Sequence, residues 1–244
     1  MSTSRIEWTD STWNPITGCT KASAGCLHCY AENMARRLAA MGIHKYANGF
    51  NLTIHEDALC DPLKWKKPKN IFVCSMSDLF HENVPFTFIE KVFNVIDRTP
   101  QHRYQILTKR AERMELFFQS HKVPSNVWLG VTVDVSKCKY RIDHLRRISN
   151  VPVRFLSCEP LLEDLGELNL DGIDWIIVGG ESGNKARPMK KEWAISIKKQ
   201  CDNAGKMFFF KQWGTWGADG VKRSKKKNGK ELDGELLHSM PDKN

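Results

Sequence analysis

The sequence predicts an α/β fold, a (β/α) barrel either complete or partial, and three observations carry that prediction. Short apolar runs alternate with amphipathic helical stretches along almost the whole chain, the pattern of a parallel sheet joined by crossover helices. Eight candidate strands fall within roughly 200 residues, the low end of the barrel's size range. No G-x-G-x-x-G follows the first strand, which disfavours the doubly wound open sheet.

In chain order, the first candidate strand is 13–17, followed by a glycine-flanked loop and a helix over 31–41. That helix carries Met34, Leu38 and Met41 on one face and stops at Gly42. Strands follow at 51–55 and 71–75, then a helix over 85–98 that starts with Pro85 and repeats Ile89, Val92, Phe93 and Ile96. A strand at 104–108 leads to a helix over 111–118, and a strand at 127–133 to a helix over 136–148 with Cys138, Ile142, Leu145 and Ile148 in register. Strands at 153–157 and 175–179 precede a helix over 190–204, which spaces Trp193, Ile197 and Cys201 by four and ends at Gly205. The last strand is 207–211. From about Gly217 the chain turns polar and basic, and the run Lys222-Arg223-Ser224-Lys225-Lys226-Lys227 reads as a tail that is mobile or ordered only on a partner. The expected division is a barrel domain, 1–216, and a basic tail, 217–244.

Within 244 residues no apolar run approaches the ~20 needed to span a bilayer, and the first residues hold no apolar signal core, so a cytoplasmic protein is expected. Eight cysteines in a reducing compartment favour metal or redox use over disulfides. The net charge is +9, and residues 221–244 hold seven Lys/Arg against four Asp/Glu, which leaves +6 on the body. Basic groups at 64–69 (with Trp65), at Lys109-Arg110 with Arg113, and at Arg141 with Arg146-Arg147 favour a polyanionic partner, nucleic acid first. Solvated helix faces are the plainer explanation of any one such group.

Three cysteines, Cys19, Cys26 and Cys29, form a C-x6-C-x2-C array in the loop after the first strand. Thiolates this close repel and oxidise, so the array points to a bound soft cation. Structural zinc wants four ligands, whereas iron–sulfur clusters are held by thiolates, so three cysteines suggest a cluster with one iron left open. A Cys3His zinc site using His28 or His44 is the alternative.

In a barrel the active site lies at the C-terminal strand ends. Here those ends carry Ser75, Ser77 and Asp78; Lys109; Ser157, Cys158 and Glu159; Gly179, Gly180 and Glu181, with Arg187 beyond; and Lys211 and Gln212. Lys109, Glu159, Glu181 and Lys211 place charge directly after buried strands, where it needs partners. Gly179-Gly180 permits close approach of a ligand, and Glu181 with Arg187 offers both signs of charge to a zwitterion.

The cysteine loop after the first strand, with Tyr30 beside the last cysteine and a helix behind, resembles the radical S-adenosylmethionine enzymes, although its first gap is six residues rather than three. More closely, Trp13-Asn14-Pro15 through Tyr30-Ala31, Phe155-Leu156-Ser157-Cys158-Glu159-Pro160-Leu161-Leu162, Gly179-Gly180-Glu181-Ser182-Gly183 and Phe209-Phe210-Lys211-Gln212-Trp213-Gly214 resemble the phage-associated three-cysteine-motif family, over about residues 5–216. The resemblance implies a radical-SAM type of barrel whose Cys19, Cys26 and Cys29 hold a [4Fe–4S] cluster. S-adenosylmethionine would chelate the open iron and, reduced by an external one-electron donor, yield a 5′-deoxyadenosyl radical. On this resemblance Gly179, Gly180 and Glu181 would meet the methionine amino group, and Ser75, Ser77 and Asp78 the ribose or the carboxylate. Lys109 or Arg187 would pair with the carboxylate, with Ser157 and Glu159 completing the polar ring. Lys211 and Gln212 are the expected substrate contacts, with Trp213 and Trp216 as base-stacking candidates. Cys158 is a candidate hydrogen donor or covalent residue, with buried filler as the alternative.

The function expected is a radical enzyme that modifies or repairs a base in nucleic acid or a nucleotide. Two alternatives stand beside it: the same chemistry on a peptide or small metabolite, and a zinc- or cluster-stabilised nucleic-acid-binding module without catalysis.

Overall fold

The computed structural model describes residues 6–241; residues 1–5 and 242–244 of the two expected segments lie outside these. Seven strands, β1 (Ser11–Trp13), β2 (Asn70–Val73), β3 (Arg103–Thr108), β4 (Val127–Thr132), β5 (Val153–Cys158), β6 (Trp175–Gly179) and β7 (Met207–Gln212), form one sheet. Every pairing is parallel and the spatial order is the chain order. With right-handed crossovers throughout, the helices fall on one face and the twisted sheet curls into a half-barrel. The helices are α1 (Tyr30–Ala40), α2 (Phe86–Asp97), α3 (Ala111–Phe118), α4 (Tyr140–Arg147) and α5 (Lys191–Asn203).

Alternation along each strand separates two cores. Ile71, Val73, Tyr104, Ile106, Leu129, Val131, Leu156 and Ile176 pack beneath the helices with Ile89, Val92, Leu145 and Ile197. One residue out of phase, Phe72, Trp128, Phe155, Trp175, Ile177 and Phe209 line the concave face. Trp8 plugs that face, its ring 4.7 Å from Phe72 and 6.0 Å from Trp175, while its carbonyl accepts a 3.0 Å bond from the Gln105 side chain. The concave face is therefore floored with aromatic rings.

Gly130 lies on that face where a Cβ would come within 2.4 Å of the Phe155 ring. Gly130→Ala is expected to cost about 1–3 kcal/mol by overpacking. A urea midpoint equal to wild type would contradict this packing.

On the outer layer Glu115 of α3 ties down α4, accepting bonds from Arg147 Nε at 2.7 Å and Nη2 at 2.9 Å and from His144 Nδ1 at 2.5 Å. The Arg147 bond, aided by His144, holds the Glu115 carboxyl down at about 2, against an ordinary value of 4.5. A depressed carboxyl stabilises above its unfolded value and loses that contribution as pH falls through its folded value. Glu115→Gln is thus expected to flatten the acid decline in stability between about 4.5 and about 2. Unfolding midpoints across that window, compared with wild type, test it.

Four expectations are corrected. The candidate strand 13–17 is divided at Pro15, which has no amide hydrogen to donate to a ladder. Its second half, Ile16–Thr17, pairs antiparallel with Thr53–Ile54, so the predicted strand 51–55 belongs to a two-stranded ribbon and not to the barrel. In α1 the buried face is Ala31 and Ala35, whereas Met34 is 43% and Met41 72% exposed. The tail follows a packed course. It forms a short helix, α6 (Lys225–Asn228), and a hairpin of Glu231–Leu232 with Glu235–Leu236, then runs along β7, where Phe210 N donates to Leu237 O and Ser239 N to Phe208 O. An open sheet edge needs such a cover, and Leu232, 2% exposed, supplies an apolar anchor. No helix of the described residues is long and apolar enough to cross a membrane.

Candidate functional site

The cysteine loop crosses the C-terminal mouth of the half-barrel and is fastened by residues that follow four strands. Beyond β2, Met76 O accepts from Gly18 N at 3.1 Å. After β3, Arg110 Nη2 donates to Thr20 O and Oγ1 at 3.3 and 2.8 Å. After β4, Asp134 Oδ2 accepts from Ser23 Oγ at 2.5 Å and Gly25 N at 2.7 Å. After β6, Arg187 Nη2 donates to Ala24 O at 3.0 Å. Gly18, at φ +78°, leaves no room for a side chain, since a Cβ would lie 2.2 Å from Asn51 O.

On this fastened loop Cys19, Cys26 and Cys29 are all free thiols and half-buried. Cys26 closes a short turn (Ala24–Cys26), and Cys29 is the N-cap of α1 without a capping side-chain bond. Burial, reinforced by Asp78, pushes the Cys19 thiol up to about 12, with Arg110 opposing it from 3.6 Å. Among the described residues no three His, Cys, Asp or Glu side chains gather where one metal ion could be held. Three thiols on one loop are the soft donor set that an iron–sulfur cluster takes, and with a histidine they would equally suit zinc.

Arg110, visible in the sequence only as part of a basic pair, is the cation of this site. Asp78, 5% exposed, receives Thr108 Oγ1 at 2.6 Å, Phe80 N at 3.0 Å, and Lys109 N and Arg110 Nη1 at 3.1 Å. Glu82 adds a 2.7 Å bond to Arg110 Nε. Asp78 is thus spent on holding Arg110 rather than free for a ribose. Ser75 Oγ donates to Asn14 Oδ1 and Ser77 Oγ to Ile16 O, which also makes them supports of the loop. Arg141 and Asp134 were missed as a pair: they lie 3.7 Å apart, almost wholly buried, and both reach the loop. Burial alone would raise Asp134, but Lys109, the Ser23 hydroxyl and the Gly25 amide together hold it below its ordinary value.

Four predicted residues do converge on the concave side of the mouth. Lys211 Nζ pairs with Glu159 Oε1 at 2.9 Å, Ser157 Oγ lies 3.4 Å from Glu159 Oε2, and a Cβ on Gly179 would come within 2.8 Å of the same carboxylate. Lys109 shares their parity, following Leu107 of the concave face. Other predicted residues are committed elsewhere. Glu181, 6% exposed, is gripped by Arg187 through Nε at 2.9 Å and Nη2 at 2.6 Å, so the two charges expected to meet a zwitterion neutralise each other. Gly180 makes room for the Trp213 carbonyl, 2.0 Å from a hypothetical Cβ. Gln212 donates to Ser182 Oγ at 3.2 Å and leaves its buried Oε1 without a partner. Cys158 is corrected outright: it is fully buried on the helix side of the sheet, and burial followed by the nearby Cys201 pushes its thiol far up. Trp213 is core, donating to Glu231 O at 2.9 Å, and Trp216 is half-buried with its indole on Ala186 O. The Lys64–Lys69 stretch precedes β2 and so lies at the opposite end of the sheet, with Lys69 over the Trp65 ring at 5.4 Å.

Over residues 3–241 the chain matches the family described as protein of unknown function (DUF5131), and it belongs to that family. No curated protein and no solved structure matches it.

Proposed function

We propose that this member of the DUF5131 family is an iron–sulfur enzyme of the radical S-adenosylmethionine kind, in which Cys19, Cys26 and Cys29 hold a [4Fe–4S] cluster, and that its substrate is nucleic acid or a nucleotide. The observation that carries the reading is the set of three free, half-buried thiols on one loop fastened across the C-terminal mouth of a parallel half-barrel. When bound, the cluster and S-adenosylmethionine supply one-electron chemistry that ends in hydrogen abstraction from the substrate, and an external donor supplies the electron. The protein's part is to bind, orient and exclude water. Arg110 sets a permanent cation beside Cys19 Sγ, offsetting the anionic charge of thiolate ligation, and Asp78 and Glu82 keep it there. Lys109, whose charge also acts on Asp134, is the candidate cation for a carboxylate in the mouth, while the Lys211–Glu159 pair presents donor and acceptor to a substrate on the concave side. The aromatic floor of Phe72, Phe155, Trp175 and Phe209 would keep water from reaching the mouth from below.

The test is turnover. Protein purified without oxygen and reconstituted with iron and sulfide is given dithionite and S-adenosylmethionine, and 5′-deoxyadenosine is sought by chromatography. Its formation, dependent on both reagents, supports the reading. Protein that carries the cluster yet forms none would refute it.

A further inference from the structure

We propose that segment 222–230 of the tail is a docking surface for the phosphate backbone of a nucleic acid, which it leads to the mouth of the half-barrel. The segment holds six cations in nine residues and no acidic residue: Lys222, Arg223, Lys225, Lys226, Lys227 and Lys230. These cations stand on a fixed frame. Arg223 N donates to Thr215 O at 2.9 Å, Asn228 Nδ2 to Gly214 O at 3.0 Å, and the hairpin that follows is anchored by buried Leu232. Three of the six are satisfied by the protein itself, Lys222 on Asn184 O, Arg223 on Asp219 and Lys230 on Glu7. Among the described residues, no carboxylate forms an ion pair with Lys225, Lys226 or Lys227.

Their placement links surface to site. The segment's bonds to Thr215 and Gly214, just beyond β7, set the exposed Lys225, Lys226 and Lys227 at the mouth end of the sheet, on the side of Lys211. Partial desolvation, and then repulsion from Lys211, lower the Lys225 ammonium below the ordinary value, with Glu7 and Glu159 opposing. Gathering such charge is unfavourable until a polyanion neutralises it and its counterions are released. Trp216, half-buried with Lys222 over its ring at 5.9 Å, adds a π-face of the kind on which unpaired bases stack. The segment offers no apolar face to insert into a bilayer, and lysine ammoniums act as point-charge partners for phosphate.

What happens to the docked strand rests on the function proposed above, but docking does not, so the two can fail separately. The experiment follows a fluorescently labelled single-stranded oligodeoxynucleotide by anisotropy over a salt series, without S-adenosylmethionine or reductant. Wild type is compared with Lys226→Gln/Lys227→Gln, with the harsher Lys226→Glu/Lys227→Glu, and with Lys66→Gln/Lys67→Gln at the opposite end of the sheet. The tail glutamine pair is expected to weaken binding and to lower the slope of log affinity against log salt by about 1.4, roughly 0.7 for each lost phosphate contact on a single strand. The Lys66/Lys67 pair is expected to bind as wild type. Both tail lysines are exposed, so urea midpoints should match, which separates lost charge from lost fold. An unchanged slope in the tail variants, or an equal loss in the Lys66/Lys67 pair, would overturn the proposal. So would polyglutamate displacing the strand as well as unlabelled oligonucleotide does at equal charge.

Discussion

Replacing any one of Cys19, Cys26 and Cys29 with alanine is expected to leave the protein almost without iron after reconstitution and to reduce S-adenosylmethionine cleavage to the buffer background. Loss of an outer-shell partner alone costs about 10–100-fold in metal affinity, and loss of a ligand costs more. The loop's fastening makes the comparison clean, because most of its contacts run through backbone and through Arg110, Asp134 and Arg187, and the thiols add only long bonds, such as Arg110 Nη1 to Cys19 Sγ at 3.6 Å. The three variants should therefore fold. Cys138→Ala, Cys158→Ala and Cys201→Ala give the contrast: each residue is buried in the helix-side layer or beside it, so these should retain iron and differ from wild type only in unfolding midpoint. Iron per chain, measured side by side, decides. Equal iron in the loop variants and wild type would remove the array from the chemistry.

Asp78→Ala is expected to have the largest effect on stability of any substitution at the mouth. It takes from Arg110, whose side chain is 12% exposed, its buried partner, leaving only the exposed Glu82, and frees Thr108 Oγ1 and two backbone amides. Removing one partner of a buried pair costs about 3–5 kcal/mol where the remaining charge has no compensation, and the surviving Glu82 bond sets the cost here at the lower end of that range. Arg110 also donates to Thr20 O and Oγ1, so loop order and iron content should fall together with the urea midpoint. Arg110→Lys keeps the charge but loses the fork that reaches Asp78, Glu82 and Thr20 at once. It is expected to fall between wild type and Asp78→Ala in both readouts. Asp78→Ala within about 0.5 kcal/mol of wild type, the range of an ordinary surface change, would contradict this network.

The strands of the sheet were legible because alternation is local. Phe208, Phe209 and Phe210 read as a buried run, and the structure sends the middle ring to the concave face and its neighbours outward. What local pattern could not supply was partnership. Pro15 sits inside an apolar run, yet it divides one expected strand between two sheets. Met34 and Met41 keep helical spacing with Leu38, but the helix rests on Ala31 and Ala35. The tail's composition argued for freedom, and a few apolar anchors with backbone bonds to the edge of β7 were enough to pack it.

The same division holds in the site. The rule of strand ends found Lys109, Ser157, Glu159 and Lys211 because charge directly after a buried strand must surface somewhere. It also found Asp78, Glu181 and Arg187, but their roles depend on contacts between distant segments: Asp78 with Arg110, and Arg187 with both Glu181 and Ala24. For Cys158 parity decides between the two readings open to it, in favour of buried filler. Phe155 faces the concave side, so Ser157 and Glu159 share that face and Cys158 points to the helices.

The most direct measurement is iron and acid-labile sulfide per chain in protein reconstituted without oxygen, with an absorption spectrum and the paramagnetic resonance spectrum of the reduced protein with and without S-adenosylmethionine. The account predicts brown protein with about four irons and four sulfides, and a reduced signal that shifts when S-adenosylmethionine is added, as an open iron requires. Colourless protein holding one zinc, unchanged by reconstitution, would contradict it.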